Sequence, residues 1–168
     1  YLFNICTLGI VMVATHNTKE VDATVTLTNS IKDITKNEWD TCAGLDNPFL
    51  SYDFMSSLED SGSVGPETGW LPQHLLYRNS SKKLIGIVPL YLKGHSYGEY
   101  VFDWGWADAF ERAGQKYFPK LLSAVPFTPV TCPKLFVCPG ENKEQVHSVL
   151  ASGLVSALTQ LKVSSLHV

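Results

Sequence analysis

Two apolar runs joined by a short polar turn place the strongest constraint on how this 168-residue chain can fold. Residues 70–77 and 83–93 are rich in aromatic and aliphatic side chains, whereas residues 78–81 between them are polar. Such a pair of runs predicts an antiparallel hairpin. Pro89 has no backbone N–H to donate to a sheet, so it predicts an edge or a bulge in the second strand.

Helices are predicted on both sides of this hairpin. Residues 142–162 carry an unbroken apolar face at the helical period and predict the longest helix. Thr35 predicts the start of a short helix, with Glu38 as its capping-box partner. Ser51 predicts the N-cap of another helix. Residues 23–29 alternate in the manner of a first strand, so the pattern as a whole indicates an α/β domain.

Composition excludes several classes of protein. Apolar residues make up 45% of the chain and charged residues 17%, which is typical of a globular domain. The net charge of −3 and the lack of a basic cluster argue against a DNA-binding protein. The four cysteines, Cys6, Cys42, Cys132 and Cys138, have no CxxC spacing. We therefore expect reduced thiols, a cytoplasmic location and no metal site.

The ends of the chain predict its domain organisation. Residues 1–14 are apolar but too short to span a bilayer, so we expect no stable membrane span. Residues 1–22 are interpreted as an N-terminal extension and residues 23–168 as the domain. Residues 163–168 begin a strand at which the sequence stops, which predicts a fragment of a longer protein.

Residues 95–112 form the segment most typical of a functional site. Its aromatic side chains are Tyr97, Tyr100, Phe102, Trp104, Trp106 and Phe110. Every second residue from 100 to 106 is aromatic, and this alternation predicts a strand with one aromatic face. Glu99 and Asp103 would share the opposite face, where carboxylates need water, a cation or a polar pocket. An edge strand with one core face and one wet face is the alternative.

Glu99, Asp103 and His95 are the candidates for catalysis. On a strand the carboxylates of Glu99 and Asp103 would lie roughly 13 Å apart, too far to share a proton. Glu99, among aromatic neighbours, is a candidate general base, and Asp103 is a candidate partner for a cation. His95 is a candidate base or proton shuttle, although a hydrogen-bonded turn histidine is the simpler interpretation.

Six further residues are candidates for substrate binding: Tyr97, Trp104, Trp106, Asp108, Tyr117 and Lys120. The two tryptophans can form a flat wall for a ligand, although core packing is their more common use. Asp108 has a helix cap as its alternative role. Residues 107–125 follow a helical period and predict two short helices that meet near Pro119. Residues 124–133 contain three prolines and predict an extended connector.

Three long motifs resemble a known family. They are NPFLSYDFMSSLEDSGSVGPETGW, PLYLKGHSYGEYVFDWGWADAFERAGQKYFPKL and AVPFTPVTCPKL. Together they resemble the predicted N-acyltransferases of the FemAB-like branch of the GNAT superfamily, a mostly bacterial group with plastid-bearing relatives. The resemblance is strong over residues 47–135. Cys132 stands where the family pattern has glycine, so close backbone approach is not expected there.

The resemblance implies an α+β fold, with a GNAT-like mixed, mostly antiparallel sheet flanked by helices. It implies a protein more than twice this length with two such halves, of which this chain is the first. It also implies transfer of an acyl or aminoacyl group to a small-molecule or peptide amine acceptor. The donor, an acyl-CoA or an aminoacyl-tRNA, would bind the second half, so no cofactor is expected here. A plastid location is the alternative to the cytoplasm.

A different class of function is also consistent with these residues. Residues 95–112 can belong to a non-catalytic recognition domain, whose aromatic side chains bind a peptide, a glycan or the second half of the same chain. An enzyme would need Glu99 for turnover, whereas a recognition domain would need Trp106 for binding.

Overall fold

The computed structural model describes residues 23–100 and 103–168. The strands are β1 (Thr24–Thr28), β2 (Trp70–Pro72), β3 (His74–Arg78), β4 (Leu84–Val88), β5 (Tyr91–Lys93), β6 (Lys120–Leu122), β7 (Phe136–Val137) and β8 (Leu166–His167). The helices are α1 (Lys36–Ala43), α2 (Tyr52–Asp60), α3 (Trp104–Arg112) and α4 (Lys143–Leu161). Short 3-10 turns precede α1, α2 and β2.

The strands form two four-stranded sheets. The first has the order β1-β3-β4-β7 and is antiparallel throughout. The second has the order β2-β5-β6-β8, with β6 and β8 parallel. The prediction of an α+β fold with mixed, mostly antiparallel strands is therefore confirmed, although the strands divide between two sheets.

The predicted hairpin is confirmed, and it joins the two sheets. The part of the hairpin next to the turn, β3 paired with β4, belongs to the first sheet. The part far from the turn, β2 paired with β5, belongs to the second sheet. The change of sheet occurs at Gln73 on one strand and at Pro89 and Leu90 on the other. The Gln73 N–H still donates to the Leu90 carbonyl at 2.8 Å. Pro89 therefore lies at the predicted irregularity, where a ladder donor is not needed.

Helices cover both faces of the first sheet. Leu75 and Leu76 are consecutive in β3 and point to opposite faces, so they belong to two different core clusters. On the Leu75 side, α4 packs its predicted apolar face, with Leu150 fully buried. On the Leu76 side lie α1 and α2, with Trp39 fully buried.

The predicted helix starts are confirmed. Thr35 and Glu38 form a reciprocal capping box at the start of α1. Ser51 caps α2, and Asn142 caps α4, each through its side-chain oxygen. These local signals require no tertiary information, because a cap satisfies N–H groups within its own first turn.

The cysteines correct an expectation from the sequence. Cys42, at the end of α1, is disulfide-bonded to Cys138, which follows β7, across a sequence separation of 96 residues. The prediction of reduced thiols is wrong for this pair, because folding brings together cysteines whose spacing carries no motif. Cys132 is free and half-buried.

The segment from 100 to 125 also departs from the prediction. Trp104–Arg112 is the helix α3, so the predicted strand through residue 106 is wrong. The first half of the 107–125 prediction is confirmed up to Arg112, but the second helix is wrong, because Lys120–Leu122 is the strand β6. Pro119 has no N–H for a helix, and the Phe118–Pro119 peptide bond is cis. The connector at 124–133 contains no helix, as predicted.

Among the described residues, no helix is both long enough and apolar enough to cross a membrane.

Candidate functional site

Two lysines lie side by side in the interior of the second sheet. Lys93 on β5 and Lys120 on β6 are directly paired in the antiparallel register. Their side chains are 0% and 1% exposed, respectively. Adjacent buried ammonium groups repel each other and lose hydration, so this pair requires anionic partners.

Glu99 and Asp103 supply the anionic partners. The Lys120 ammonium donates to Glu99 Oε2 at 2.8 Å and to Asp103 Oδ2 at 2.5 Å. The predicted separation of roughly 13 Å between the two carboxylates is therefore wrong. The backbone turns at Glu99, whose N–H donates to the Ser96 carbonyl at 3.2 Å, so both side chains reach the same lysine.

Asp103 is held by three donors. In addition to Lys120, the Ser96 hydroxyl donates to Oδ1 and the Tyr117 hydroxyl donates to Oδ2 at 2.5 Å. Asp103 precedes α3 at the N-cap position, but its carboxylate makes no capping hydrogen bond. Burial of Asp103 opposes ionisation, yet the hydrogen bonds from Lys120 and the hydroxyl donors outweigh it and lower its pKa to about 2. Asp103 is thus an anion of the cluster at neutral pH.

Lys93 is held differently from Lys120. Its ammonium donates to the Tyr97 carbonyl at 3.1 Å and lies 3.6 Å from the centre of the Trp70 ring. Burial lowers the pKa of Lys93 to about 8, and attraction to Glu99 opposes this only in part. Lys93 is therefore closer to its neutral form than an ordinary lysine.

One oxygen of Glu99 has no hydrogen bond. Glu99 Oε1 is buried without a hydrogen-bond partner among the described residues, and the Lys93 ammonium forms a long ion pair with it at 3.9 Å. The Glu99 side chain is 8% exposed. A carboxylate oxygen without a hydrogen bond in such a setting loses the hydration it had in the unfolded chain, which is unfavourable unless another group supplies a donor.

A small cleft lies against this glutamate. Its volume is about 170 Å³. The cleft is lined by Trp70, Gly98, Glu99, Tyr100, Leu122, Ala124, Val125, Thr128, Pro129 and Val130. Phe127 of the connector packs on Gly98, so close that a methyl group on Gly98 would lie 2.5 Å from the Phe127 ring. The connector therefore forms one wall of the cleft.

Tyr117 and His167 extend the cluster toward β8. The Tyr117 hydroxyl lies 3.4 Å from His167 Nε2, which in turn is 2.9 Å from the Ser165 hydroxyl. Burial, and then the charge of Lys120, lower the pKa of His167. Burial and the hydrogen bond to Asp103 raise the pKa of Tyr117. Both groups are therefore neutral at pH 7.

The structure brings together four of the predicted site residues: Glu99, Asp103, Tyr117 and Lys120. Sequence analysis missed Lys93, Ser96, Trp70 and His167. Lys93 alone had a usable signal, because it is a lysine inside an otherwise apolar strand. Ser96, Trp70 and His167 have no sequence feature that indicates a functional site, because only the fold brings them next to the cluster.

The remaining candidates lie outside this cluster. His95 is half-buried, its ring is 4.9 Å from that of Tyr97, and its Nδ1 accepts from the Tyr97 N–H at 3.2 Å. Burial lowers the pKa of His95. Trp104 packs edge-on against Tyr97 with ring centres 5.7 Å apart. Trp106 is 68% exposed.

Asp108 corrects a further expectation. It lies within α3 rather than at its start, so its interpretation as a helix cap is wrong. Its carboxylate is exposed and pairs with Arg112 one turn later, with Arg112 Nη2 at 3.3 Å. A role for Asp108 in substrate binding remains a prediction.

The described part of the chain contains no group of three or more His, Cys, Asp or Glu side chains arranged to hold a metal ion. The cluster therefore consists of ammonium, carboxylate and hydroxyl groups. Such groups can bind charged ligands, transfer protons and position a nucleophile.

The fold and this cluster define an α+β domain with paired buried lysines and carboxylates beside a small cleft. A family model described as FemAB-like, peptidoglycan biosynthesis/recognition, matches residues 30–168. The chain belongs to this family, which confirms the resemblance of its motifs to FemAB-like proteins. No match was found among curated proteins or among solved structures.

Proposed function

We propose that this chain is part of a transferase that moves an acyl or aminoacyl group to an amine, with Glu99 as the general base. The observation that carries the proposal is the different hydrogen bonding of the two oxygens of the Glu99 carboxylate. Lys120 fixes it through Oε2, while Oε1 has no hydrogen-bond partner in the part of the chain that the structure describes and lies 3.9 Å from the Lys93 ammonium. Membership of a family described by peptidoglycan biosynthesis/recognition supports a transferase that acts on a peptidoglycan-related molecule.

The chemistry requires one proton acceptor near the amine. The amine nitrogen forms a bond to the carbonyl carbon of the donor, and the bond from that carbon to its leaving group breaks. The nitrogen must lose a proton, which Glu99 Oε1 accepts, and the leaving group takes up a proton as it departs as a thiol or a hydroxyl compound. Lys120 and Asp103 keep the glutamate in place during this step. The donor in this proposal is an acyl-CoA or an aminoacyl-tRNA, bound by another part of the full-length protein.

Turnover by the full-length protein tests this role. Glu99→Gln keeps the shape of the side chain but removes the proton acceptor, so we expect acyl transfer to fall by about 10²–10⁴-fold. Glu144→Gln is the matched control, because Glu144 is an exposed acid in the first turn of α4. Transfer at the same rate in Glu99→Gln and the parent protein would exclude Glu99 as the base.

A recognition domain is the second candidate, and the exposed aromatic side chains favour it. Tyr97, Tyr100 and Trp106 are 65%, 62% and 68% exposed. Large aromatic rings at a surface are common where a protein binds a partner. On this proposal Trp106→Ala weakens binding of a peptidoglycan-derived peptide or glycan at least about tenfold, and the full-length protein shows no turnover.

We propose a cytoplasmic or plastid location for the protein. The Cys42–Cys138 disulfide counts against a cytoplasmic location, because such bonds persist mainly in oxidising compartments. Mass spectrometry of protein denatured and alkylated at the moment of cell lysis tests it, because both cysteines are buried in the folded protein. Cys42 and Cys138 should be alkylated if the compartment is reducing, and their protection would contradict a cytoplasmic location.

A further inference from the structure

Helix α3 has no buried residue within residues 23–100 and 103–168. Its contacts with the rest of the domain include two ring pairs, Trp104 with Tyr97 and Phe110 with Tyr117, whose centres are 5.7 and 5.2 Å apart, respectively. A helix of nine residues is too short to be stable in water by itself, because most helical stability in proteins comes from packing. The exposed surface of α3 is therefore a candidate for contact with a partner.

An open cleft of about 460 Å³ lies between one side of α3 and Phe118. The residues that line it are Trp104, Gly105, Ala107, Asp108, Glu111 and Phe118. Trp104, Asp108 and Glu111 are separated by four and three positions, so they share one side of the helix. The cleft thus combines two aromatic rings with two carboxylates. Its volume lies within the range of about 300–1,000 Å³ that is usual for ligand clefts.

We propose that this cleft binds an arginine side chain of a partner polypeptide. The plane of the guanidinium group would stack on Trp104, and its N–H groups would donate to Glu111. This inference does not rest on the proposed acyl transfer, because no residue of the cleft belongs to the cluster of Glu99, Asp103 and Lys120.

The charge of the ligand follows from the two carboxylates. Asp108 already pairs with Arg112 at 3.3 Å, whereas Glu111 is exposed and forms no salt bridge with another described residue. A carboxylate attracts a cationic ligand and repels an anionic one. A guanidinium group matches both parts of the cleft, because it stacks on aromatic rings and forms two parallel hydrogen bonds with a carboxylate.

The aromatic surface continues beyond the cleft. Tyr97 packs against Trp104 and is 65% exposed, and Trp104 itself is 49% exposed. Aromatic residues and arginine are both enriched where protein surfaces meet. A polypeptide can cover Tyr97 while one of its arginines occupies the cleft, which a small cation cannot do. The surface therefore fits a polypeptide better than a free small molecule.

A second copy of this chain does not supply the required side chain. The 168 residues contain two arginines, Arg78 and Arg112. Arg78 donates to Glu38 at 2.6 Å, and Arg112 pairs with Asp108 on its own helix. Both guanidinium groups are therefore engaged, and the net charge of −3 opposes contact between two copies. A different polypeptide with free arginines complements the cleft.

Titration of the 168-residue chain with blocked tripeptides tests this inference without requiring turnover. The central residue is arginine, citrulline or glutamate, and glycine lies on either side. Citrulline has nearly the shape of arginine but is neutral. NMR follows the indole N–H of Trp104. We expect the arginine peptide to bind, the citrulline peptide to bind at least about fivefold more weakly, and the glutamate peptide not to bind.

Variants locate the binding. Trp104→Ala should weaken the arginine peptide at least about fivefold, because it removes the stacking surface. Phe49→Ala is the matched control, because Phe49 is 40% exposed and also packs edge-on against one neighbouring ring, that of Phe54. For these variants the peptide carries a fluorophore and anisotropy measures its affinity. Circular dichroism reports the fold of each variant.

The carboxylate is tested separately from the ring. Glu111→Gln should weaken the arginine peptide at least about threefold, whereas Glu144→Gln, which changes another exposed helical glutamate, should leave its affinity unchanged. If Trp104→Ala unfolds α3, Glu111→Gln decides the question, because full affinity in that variant would place the peptide elsewhere.

The inference is overturned if the arginine peptide does not bind, or if the citrulline peptide binds as tightly. It is also overturned if a folded Trp104→Ala variant retains full affinity. Self-association of the chain that is lost in Trp104→Ala, measured by analytical ultracentrifugation, would make a second copy the occupant and would contradict it as well. Glu99-dependent acyl transfer by the full-length protein without peptide binding at α3 would contradict only this inference.

Discussion

Asp103 and Lys120 form an ion pair of 2.5 Å between the start of α3 and the strand β6. The pair joins a carboxylate that would ordinarily cap its own helix to a lysine that would ordinarily be exposed. Because Glu99 shares the same ammonium, Lys120 bridges two buried acids. The arrangement of the site therefore depends on this one side chain.

Replacement of Lys120 by methionine should be strongly destabilising. Lys120→Met keeps the apolar stem but leaves Glu99 and Asp103 without their shared cation, and breaking a buried ion pair costs about 3–5 kcal/mol. Lys83→Met is the matched control, because Lys83 pairs with Glu141 at 3.0 Å on the surface and its side chain is 61% exposed. Its loss should cost less than about 1 kcal/mol. Urea denaturation measures both, and equal losses would contradict the dominant role of Lys120.

Asp103 should make stability depend on pH in the acid range. Its pKa is about 2 in the folded protein and 3.8 ordinarily, so the unfolded chain takes up the proton first as the pH falls. The stabilisation is thus present above about pH 4 and is lost as the pH falls toward 2, and it amounts to roughly 2 kcal/mol. Asp103→Asn should remove this part of the pH dependence in urea titrations between pH 5 and 2. An unchanged slope would show that Asp103 is not held as described.

The elements that sequence analysis predicted correctly are those with local causes. The capping box of Thr35 and Glu38 satisfies N–H groups within its own turn, and the hairpin brings together strands separated by one short turn. The apolar face of α4 is set by its own periodicity. None of these features requires knowledge of distant parts of the chain, which is why the fold class was predictable.

The site was predictable only in part, because its geometry depends on distant contacts. Alternating aromatic residues between 100 and 106 predict a strand, but α3 starts at Trp104 and leaves its tryptophans exposed. Glu99 and Asp103 were identified by charge alone. Their contacts with Lys120 join residues that are 21 and 17 positions apart in the sequence, respectively. Lys93 was missed since its role requires the pairing of β5 with β6. The periodicity of a short segment does not encode such contacts.

Lys93 should make stability rise with pH in the alkaline range. Burial lowers its pKa to about 8 from the ordinary 10.5, so between these values the unfolded chain holds the proton that the folded protein has released. Stability attributable to Lys93 therefore increases from about pH 8 to 10.5, by at most about 3 kcal/mol. The difference in unfolding free energy between the parent chain and Lys93→Met, measured across this range, isolates the effect. A difference that does not vary with pH would contradict the lowered pKa.

Gly98 should tolerate no side chain, because it lies under the wall of the cleft. Its φ is +78°, a conformation that costs a residue with a Cβ about 1–2 kcal/mol. A methyl group there would also lie 2.5 Å from the Phe127 ring and 2.9 Å from Trp70 Nε1. Gly98→Ala should therefore destabilise the protein by more than about 2 kcal/mol or displace the connector that carries Phe127.

Gly105 provides the comparison for this substitution. It lies in the first turn of α3, and a methyl group added there would meet nothing within 4 Å. Gly105→Ala should be neutral or stabilise the protein by about 0.5–1 kcal/mol, since alanine favours a helix. Thermal unfolding of both variants measures the contrast, and tryptophan fluorescence reports whether Trp70 keeps its environment. If Gly98→Ala is as stable as Gly105→Ala with unchanged fluorescence, the tight contact between Gly98 and Phe127 does not form the cleft wall.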